Sequence, residues 1–140
     1  MTRSLASTAI RSFSAVGAAL VLGGCRGTTD PHSPPVACTL VAVSAVSVYV
    51  KDAGTGASIA SGSTLVLRDG TFADSTTVPA SHPELDAVPI ATPGTYERVG
   101  TYEVTVRKPG YASMSWSGVV VTKDECHVRP VVLTAQLARA

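Results

Sequence analysis

The side chains with the most distinctive chemistry in this 140-residue chain are its three cysteines, Cys25, Cys38 and Cys126. A thiolate is a strong nucleophile and metal ligand, and two thiols can be oxidised to a disulfide. An odd number of cysteines leaves one thiol over in an oxidising compartment. The surroundings of each cysteine therefore indicate which chemistry it performs.

Cys25 follows a short apolar segment with the features of a secretory signal. Two arginines and no acidic residue precede residues 13–22, FSAVGAALVL, and the small pair Gly23-Gly24 comes next. As a helix, these apolar residues would cover about 15 Å, roughly half of the hydrocarbon core of a bilayer. Residues 1–24 are therefore predicted to be a signal peptide and not a membrane-spanning anchor.

The sequence Leu22-Gly23-Gly24-Cys25 resembles a bacterial lipobox. In lipoproteins of this kind the cysteine thiolate receives a diacylglyceryl group, the preceding peptide is cleaved, and the new amine is usually acylated, for example with palmitate. Two or three acyl chains hold a protein on a membrane, whereas one chain binds marginally. The resemblance implies lipidation of Cys25, with an ordinary thiol in a secreted protein as the alternative. Arg26 stands where an inner-membrane retention signal has Asp, which favours the outer membrane.

Lipidation of Cys25 leaves Cys38 and Cys126 as a pair, and we expect a disulfide between them. In the loop-entropy model, so long a closure stabilises a fold by roughly 4–5 kcal/mol. Metal binding is the competing use, because His127 follows Cys126 directly. Cys38 has no Cys or His within a few residues, so the close ligand pairs of structural zinc sites are missing. We predict no metal site.

The remaining polar residues do not form a catalytic motif. His32, His82 and His127 are scattered, and no serine lies in a Gly-x-Ser-x-Gly motif. His82, Glu84 and Asp86 alternate and could gather a cation, but a solvated loop is the favoured interpretation. We therefore predict no catalytic residue and no cofactor.

Charge argues against nucleic acid as a partner. Cleavage after residue 24 leaves 116 residues with nine basic and ten acidic side chains and no basic stripe. Residues 25–37, rich in Pro, Gly and hydroxyl side chains, are predicted to form a flexible tether that reaches at most about 40 Å. Residues 38–140 are predicted to form one domain held close to the membrane.

Alternation of apolar and polar residues predicts β-strands through most of this domain. Residues 64–78 are predicted to form a hairpin around Asp69-Gly70, and residues 101–122 a second hairpin around Lys108-Pro109-Gly110. We expect an all-β fold, an antiparallel sandwich of six or seven strands. The positions predicted to face the core are Val46, Val48, Val50, Leu65, Leu67, Tyr102, Val104, Val106, Val131, Leu133, Ala135 and Leu137.

Residues 79–95, PASHPELDAVPIATPGT, interrupt the alternation. The segment is rich in Pro, Ala and Thr and is long for a connection in a compact domain. We expect either a mobile surface loop or the place where a function is grafted. Deletion of residues 81–92 is accordingly expected to leave thermal unfolding almost unchanged.

Three stretches carry a resemblance to a known family: residues 48–56, VYVKDAGTG, residues 100–111, GTYEVTVRKPGY, and residues 118–121, GVVV. They are similar to the carboxypeptidase regulatory-like domain, and the similarity covers about residues 40–137. It implies a single seven-stranded, Greek-key, transthyretin-like (prealbumin-like) β-sandwich with a noncatalytic accessory role. A transthyretin-like relative hydrolyses 5-hydroxyisourate and has a Tyr-Arg-Gly-Ser ending, which residues 133–140, LTAQLARA, lack.

The predicted function is that of a lipid-anchored protein of the bacterial cell envelope, with the outer membrane favoured. Its sandwich is expected to bind an envelope protein or a glycan, with residues 79–95 and the exposed strand edges as the contact surface. A small transthyretin-like hydrolase and a carbohydrate-binding module are the alternatives. Trp116 shares a strand face with Met114, so core packing is the favoured interpretation and sugar or peptide stacking the alternative.

Overall fold

The computed structural model describes residues 36–140. The predicted signal peptide, the lipidation site Cys25 and most of the predicted tether lie outside the described residues. Within residues 36–140, no helix is long and apolar enough to cross a membrane. The described residues therefore include the whole of the predicted domain, residues 38–140.

The described part of the chain folds into two β-sheets, which confirms the predicted all-β fold. Its strands are β1 (Val46–Asp52), β2 (Thr64–Asp69), β3 (Phe72–Thr77), β4 (Ile90–Ala91), β5 (Gly100–Arg107), β6 (Met114–Val121) and β7 (Val131–Leu137). One sheet has the order β4-β1-β7 and the other has the order β3-β2-β5-β6. Both predicted hairpins are present, as β2-β3 and β5-β6.

β1 and β7 pair in parallel, from Val46 opposite Val131 to Asp52 opposite Leu137. The prediction of a wholly antiparallel sandwich is therefore wrong at this pair, although the other strand pairs are antiparallel. The reason is topological. A hairpin forces antiparallel pairing, whereas β1 and β7 are separated by all the other strands and can run in the same direction.

Alternate side chains of both sheets meet in one core, as the sequence pattern predicts. The predicted inward residues of β1, β2 and β5 are buried, and Tyr102, Leu65 and Leu67 are completely inaccessible to solvent. In β7, Ala135 and Leu137 are buried, while the two preceding inward positions are half-buried and pack against the core. Burial of this apolar surface is the main favourable contribution to folding.

A β-bulge in β6 adjusts which of its residues face the core. Ser117 and Gly118 lie together opposite the single residue Glu103 of β5. Gly118 has a φ of 68°, a left-handed conformation that glycine adopts without a steric penalty. The extra residue shifts the alternation, so that both Trp116 and Val119 pack against the core. Trp116 is thus half-buried, in agreement with the core-packing interpretation.

Residues 79–95 fall into two parts with different roles. Residues 79–88 are mostly exposed, but residues 90–95 belong to the fold, so the prediction of a mobile surface loop is wrong for them. Ile90 in β4 is buried and pairs with β1. The Gly94 N–H donates to Asp74 Oδ2 of β3 at 2.7 Å, and a Cβ on Gly94 would lie 2.6 Å from that oxygen. The segment therefore contacts both sheets.

Candidate functional site

Cys38 and Cys126 form a disulfide with a Cα–Cα distance of 5.2 Å, which confirms the predicted pair. The bond joins the chain before β1 to the turn before β7 across a separation of 88 residues. Oxidised sulfur offers no thiolate to a metal, so the competing metal interpretation is wrong for these two cysteines. The residues that follow them directly, Thr39 and His127, are brought side by side.

Thr39, His127 and Glu97 form a continuous chain of hydrogen bonds next to the disulfide. His127 Nδ1 lies 2.9 Å from Glu97 Oε1, and His127 Nε2 lies 2.9 Å from Thr39 Oγ1. A carboxylate only accepts hydrogen bonds, so Nδ1 carries the proton, and in the neutral imidazole Nε2 accepts from the threonine hydroxyl. A carboxylate, an imidazole and a hydroxyl in this order can activate the hydroxyl as a nucleophile.

Glu97 is fixed by the backbone on two sides. Its Oε1 accepts from the Val43 N–H at 2.7 Å, and its Oε2 accepts from the Val128 N–H at 3.1 Å. The Val43 N–H is the main reason why the pKa of Glu97 is lowered, with further contributions from Val128 and His127. Glu97 also has a φ of 54°, a left-handed conformation that costs energy for a residue with a side chain. These hydrogen bonds hold the carboxylate ionised and in position.

Asp124 fixes the turn that carries the disulfide and the imidazole. Its Oδ1 accepts from the backbone N–H groups of Cys126 and His127 at 2.9 and 3.0 Å. These donors, that of His127 foremost, lower the pKa of Asp124. The turn therefore orients His127 toward both of its side-chain partners.

An open groove of about 400 Å³ adjoins this chain of hydrogen bonds. Leu40 and Val41 form part of its apolar lining, and Lys123, Glu97 and His127 contribute polar groups. Its volume falls within the range of roughly 300–1,000 Å³ that is typical of small-molecule pockets. The groove is thus large enough for a small substrate that places an acyl group near the threonine hydroxyl.

A second polar cluster, at the opposite end of β1, is structural. Asp52 Oδ1 accepts from the N–H groups of Gly54 and Thr55, and Asp52 Oδ2 accepts from the Tyr111 hydroxyl at 2.9 Å and from Arg139 Nε at 3.2 Å. The Thr55 N–H, followed by the Tyr111 hydroxyl, lowers the pKa of Asp52 to about 2. The hydrogen bond that the Tyr111 hydroxyl donates to Asp52 in turn raises the pKa of Tyr111. Both carboxylate oxygens are engaged inside the protein, so the cluster ties a turn to the C-terminal residues.

The alternating residues His82, Glu84 and Asp86 do not converge on one point. His82 Nδ1 lies 2.6 Å from Glu84 Oε1, whereas Asp86 Oδ1 accepts from the Ser61 N–H at 2.6 Å. Between residues 36 and 140, no group of three or more His, Cys, Asp or Glu side chains is placed to hold a metal ion. His32 lies outside the described residues.

A small apolar cleft lies between the end of β3 and the exposed half of the 79–95 segment. It encloses about 170 Å³ and is lined by Val78, Leu85, Val88 and Pro89, together with parts of β3 and β4. Leu85 and Val88 are 37% and 48% exposed. The volume is smaller than the roughly 300–1,000 Å³ of small-molecule pockets, so the cleft fits a single apolar side chain of a partner better than a free ligand.

Sequence reasoning identified the disulfide but missed Thr39 and Glu97 as partners of His127. One signal was present: Thr39 follows Cys38, and His127 follows Cys126, so pairing the cysteines brings their neighbours together. Glu97 has no comparable signal, because it lies far from both in the sequence and no short motif includes it.

Comparison with known proteins assigns no family to this arrangement. No protein-family model matches the chain, and no curated protein gives a significant match. The features that indicate a function are therefore the disulfide end of the domain, the apolar cleft and the sequence before the domain.

Proposed function

We propose that this chain is a lipid-anchored protein of the bacterial cell envelope whose β-sandwich acts as a noncatalytic binding module. The observation that carries the proposal is the Cys38–Cys126 disulfide. Structural disulfides are typical of oxidising compartments outside the cytoplasm. The bond uses two of the three cysteines and leaves Cys25, which follows the apolar residues 13–22, as the acceptor of the lipid. Arg26 in the next position favours the outer membrane over the inner one.

Replacing Cys25 by Ser is expected to abolish membrane attachment, because a hydroxyl does not form the thioether that carries the diacylglyceryl group. Mass spectrometry of the membrane fraction should find the wild-type chain beginning at an acylated Cys25, and Cys25→Ser should be unprocessed or soluble. Arg26→Asp is the matched control, which should stay acylated but move to the inner membrane. Retention of residues 1–24, or a free thiol at Cys25 in the membrane fraction, would contradict the proposal.

We assign the domain to the transthyretin-like, Greek-key class of the carboxypeptidase regulatory-like family. The division into a three-stranded and a four-stranded sheet, and the two antiparallel hairpins of the four-stranded sheet, support this assignment. The motif residues 100–111 form β5 and the turn into β6, where Tyr102 is buried and Gly110 has a φ of 79°. In residues 48–56, the last position, Gly56, has a φ of 73° in the turn after β1. The motif residues thus have structural roles consistent with such a domain.

The contact surface of the proposed module is the exposed part of the segment, residues 79–88, with the apolar cleft beside it. Leu85 and Val88 border the cleft and keep part of their apolar surface in solvent. A partner that inserts one apolar side chain would bury this surface and would gain from the hydrophobic effect. Since residues 79–88 contribute little to the core, they can vary without harm to the sandwich.

Val88→Asp is expected to remove the bound partner, because a carboxylate at the rim of the cleft would be desolvated on binding without an opposite charge. Proteins retained from detergent-solubilised membranes should be quantified for the wild-type protein and the variant by mass spectrometry. Val132→Asp, the same change at an exposed valine of β7, is the control. Equal retention by both variants, or equal loss from both, would show that the cleft is not the contact surface.

A second candidate function, a small esterase, is favoured by one observation, the Glu97–His127–Thr39 chain of hydrogen bonds. Thr39 Oγ1 would attack the acyl carbon while its proton passes to His127 Nε2. The leaving alcohol would take that proton, and water would then hydrolyse the acyl-threonine with the imidazole as the base. The groove of about 400 Å³ would receive the acyl group.

A fluorophosphonate probe and a p-nitrophenyl ester decide between the two functions. An esterase should be labelled at Thr39, and Thr39→Val should lower ester hydrolysis by roughly 100-fold or more. Ser44→Ala, at another hydroxyl side chain before β1, should leave the rate unchanged. An unlabelled wild-type protein with no activity above buffer would contradict the esterase and leave the binding module as the function.

A further inference from the structure

The chain just before the domain core presents an unusual apolar surface. Residues 36–42, VACTLVA, are all exposed, and none of them carries a charge. Within this apolar segment, Leu40 is fully exposed, Val41 is 66% exposed and Val36 is 60% exposed. Single exposed apolar side chains are ordinary, but a contiguous group indicates an interaction surface.

The apolar segment is held on the surface and cannot fold back to bury itself. Cys38 is bonded to Cys126, and the Thr39 hydroxyl is hydrogen-bonded to His127. Immediately after the segment, the Val43 N–H donates to Glu97. These constraints fix both the position and the outward exposure of the segment, so an external surface must cover it if it is to be buried.

We propose that the apolar segment, residues 36–42, docks the domain onto the lipid bilayer in which Cys25 is anchored. The inference rests on the proposed lipidation and adds to it an orientation of the domain. Ten residues, 26–35, separate Cys25 from the segment, and even a fully extended chain of this length spans at most about 36 Å. The bilayer is therefore the one large apolar phase that is always within reach of the segment.

Tethering makes this docking efficient even though the segment is short. Because the acyl chains already hold the protein at the membrane, docking is an intramolecular step with a high effective concentration. Two or three valine and leucine side chains can then favour the docked state, although they would bind a membrane weakly on their own.

The charged residues around the apolar segment indicate whether docking requires anionic lipids. Lys123 and Arg129 lie in the same region as three carboxylates, those of Glu97, Asp124 and Glu125, so the region has no excess of positive charge. We therefore expect docking to depend on apolar burial and not on anionic headgroups. It should persist in about 1 M sodium chloride, where the Debye length is only about 3 Å.

Docking by this segment determines which end of the domain faces away from the membrane. β1 begins close to the disulfide and runs for seven residues, about 20 Å, to Asp52. The end that carries Asp52, Tyr111 and Arg139 therefore points away from the bilayer, and the strands stand on the membrane surface.

Two tryptophan reporters test the proposal in the lipidated protein reconstituted into phosphatidylcholine vesicles. Leu40→Trp lies in the apolar segment, and Gln136→Trp is the control at an exposed position of β7 next to the end that carries Asp52. Brominated lipid should quench Leu40→Trp by about twofold or more, because interfacial apolar side chains reach roughly 5–10 Å into the headgroup boundary. Gln136→Trp should be quenched no more than the wild-type protein, whose Trp116 gives the background.

The possible outcomes separate this inference from the lipidation on which it rests. Equal quenching at the two positions would overturn docking. A blue-shifted but unquenched Leu40→Trp would also overturn it, because a protein partner or a second copy would then cover the segment. The same reporters in a chain whose residues 1–25 are replaced by six histidines, captured on nickel-chelating lipid, decide docking even if mass spectrometry finds Cys25 without lipid.

Discussion

The double variant Cys38→Ala/Cys126→Ala is expected to lose about 4–5 kcal/mol of unfolding free energy. The bond closes a loop of 88 residues, and a crosslink of this length greatly restricts the unfolded chain. The hydrogen bond between Thr39 and His127 should also weaken, because the disulfide holds the residues directly before them, Cys38 and Cys126, together. Guanidinium chloride unfolding of the wild-type and variant proteins measures the difference.

Two controls accompany the disulfide variant. Cys25→Ala should leave the unfolding midpoint unchanged, because Cys25 is not part of the bridge. The wild-type protein with a reducing agent should unfold at the midpoint of the double variant. A loss below about 1 kcal/mol in the double variant would mean that the unfolded state is already compact without the bond.

Ile90→Ala is expected to cost about 2–5 kcal/mol, because it removes a buried side chain and leaves a cavity beside β1. Val88→Ala, two residues earlier in the same segment, should change stability by no more than about 0.5 kcal/mol, because Val88 is 48% exposed and lies outside the buried core. Thermal and denaturant unfolding of both variants provide the comparison.

The contrast between the two alanine variants tests the two-part description of residues 79–95. A deletion of residues 81–92 is no longer expected to leave thermal unfolding almost unchanged, because it would remove β4 and its pairing with β1. Similar stabilities of Ile90→Ala and Val88→Ala would mean that β4 contributes little and that the whole segment is peripheral.

The main strands could be predicted from the sequence because each buries one face over six to eight residues. Val46, Val48 and Val50 repeat with a period of two, and this pattern depends only on local geometry. β4 has two residues, Ile90 and Ala91, which are too few to show any period. The parallel pairing of β1 with β7 could not be predicted from the sequence either, because it joins distant segments without a hairpin.

The candidate site was only partly predictable for a similar reason. The cysteine pair followed from counting thiols, which requires no geometry. Thr39, Glu97 and His127 are far apart in sequence and meet only in the folded chain. The positive φ of Glu97 could not be predicted from the sequence either, because backbone conformations of this kind are usually signalled by Gly or Asn.

The disulfide also determines how a pull on the proposed lipid anchor would be transmitted to the fold. β1 begins eight residues after Cys38, and β7 begins five residues after Cys126. Tension that arrives through the tether divides at the bridge and enters both strands at their N-terminal ends. Because β1 and β7 are adjacent and parallel, they are drawn in the same direction, and the seven-residue ladder between them carries little shear. The domain is thus loaded through two strands at once, whereas without the bridge the same force would peel β1 alone.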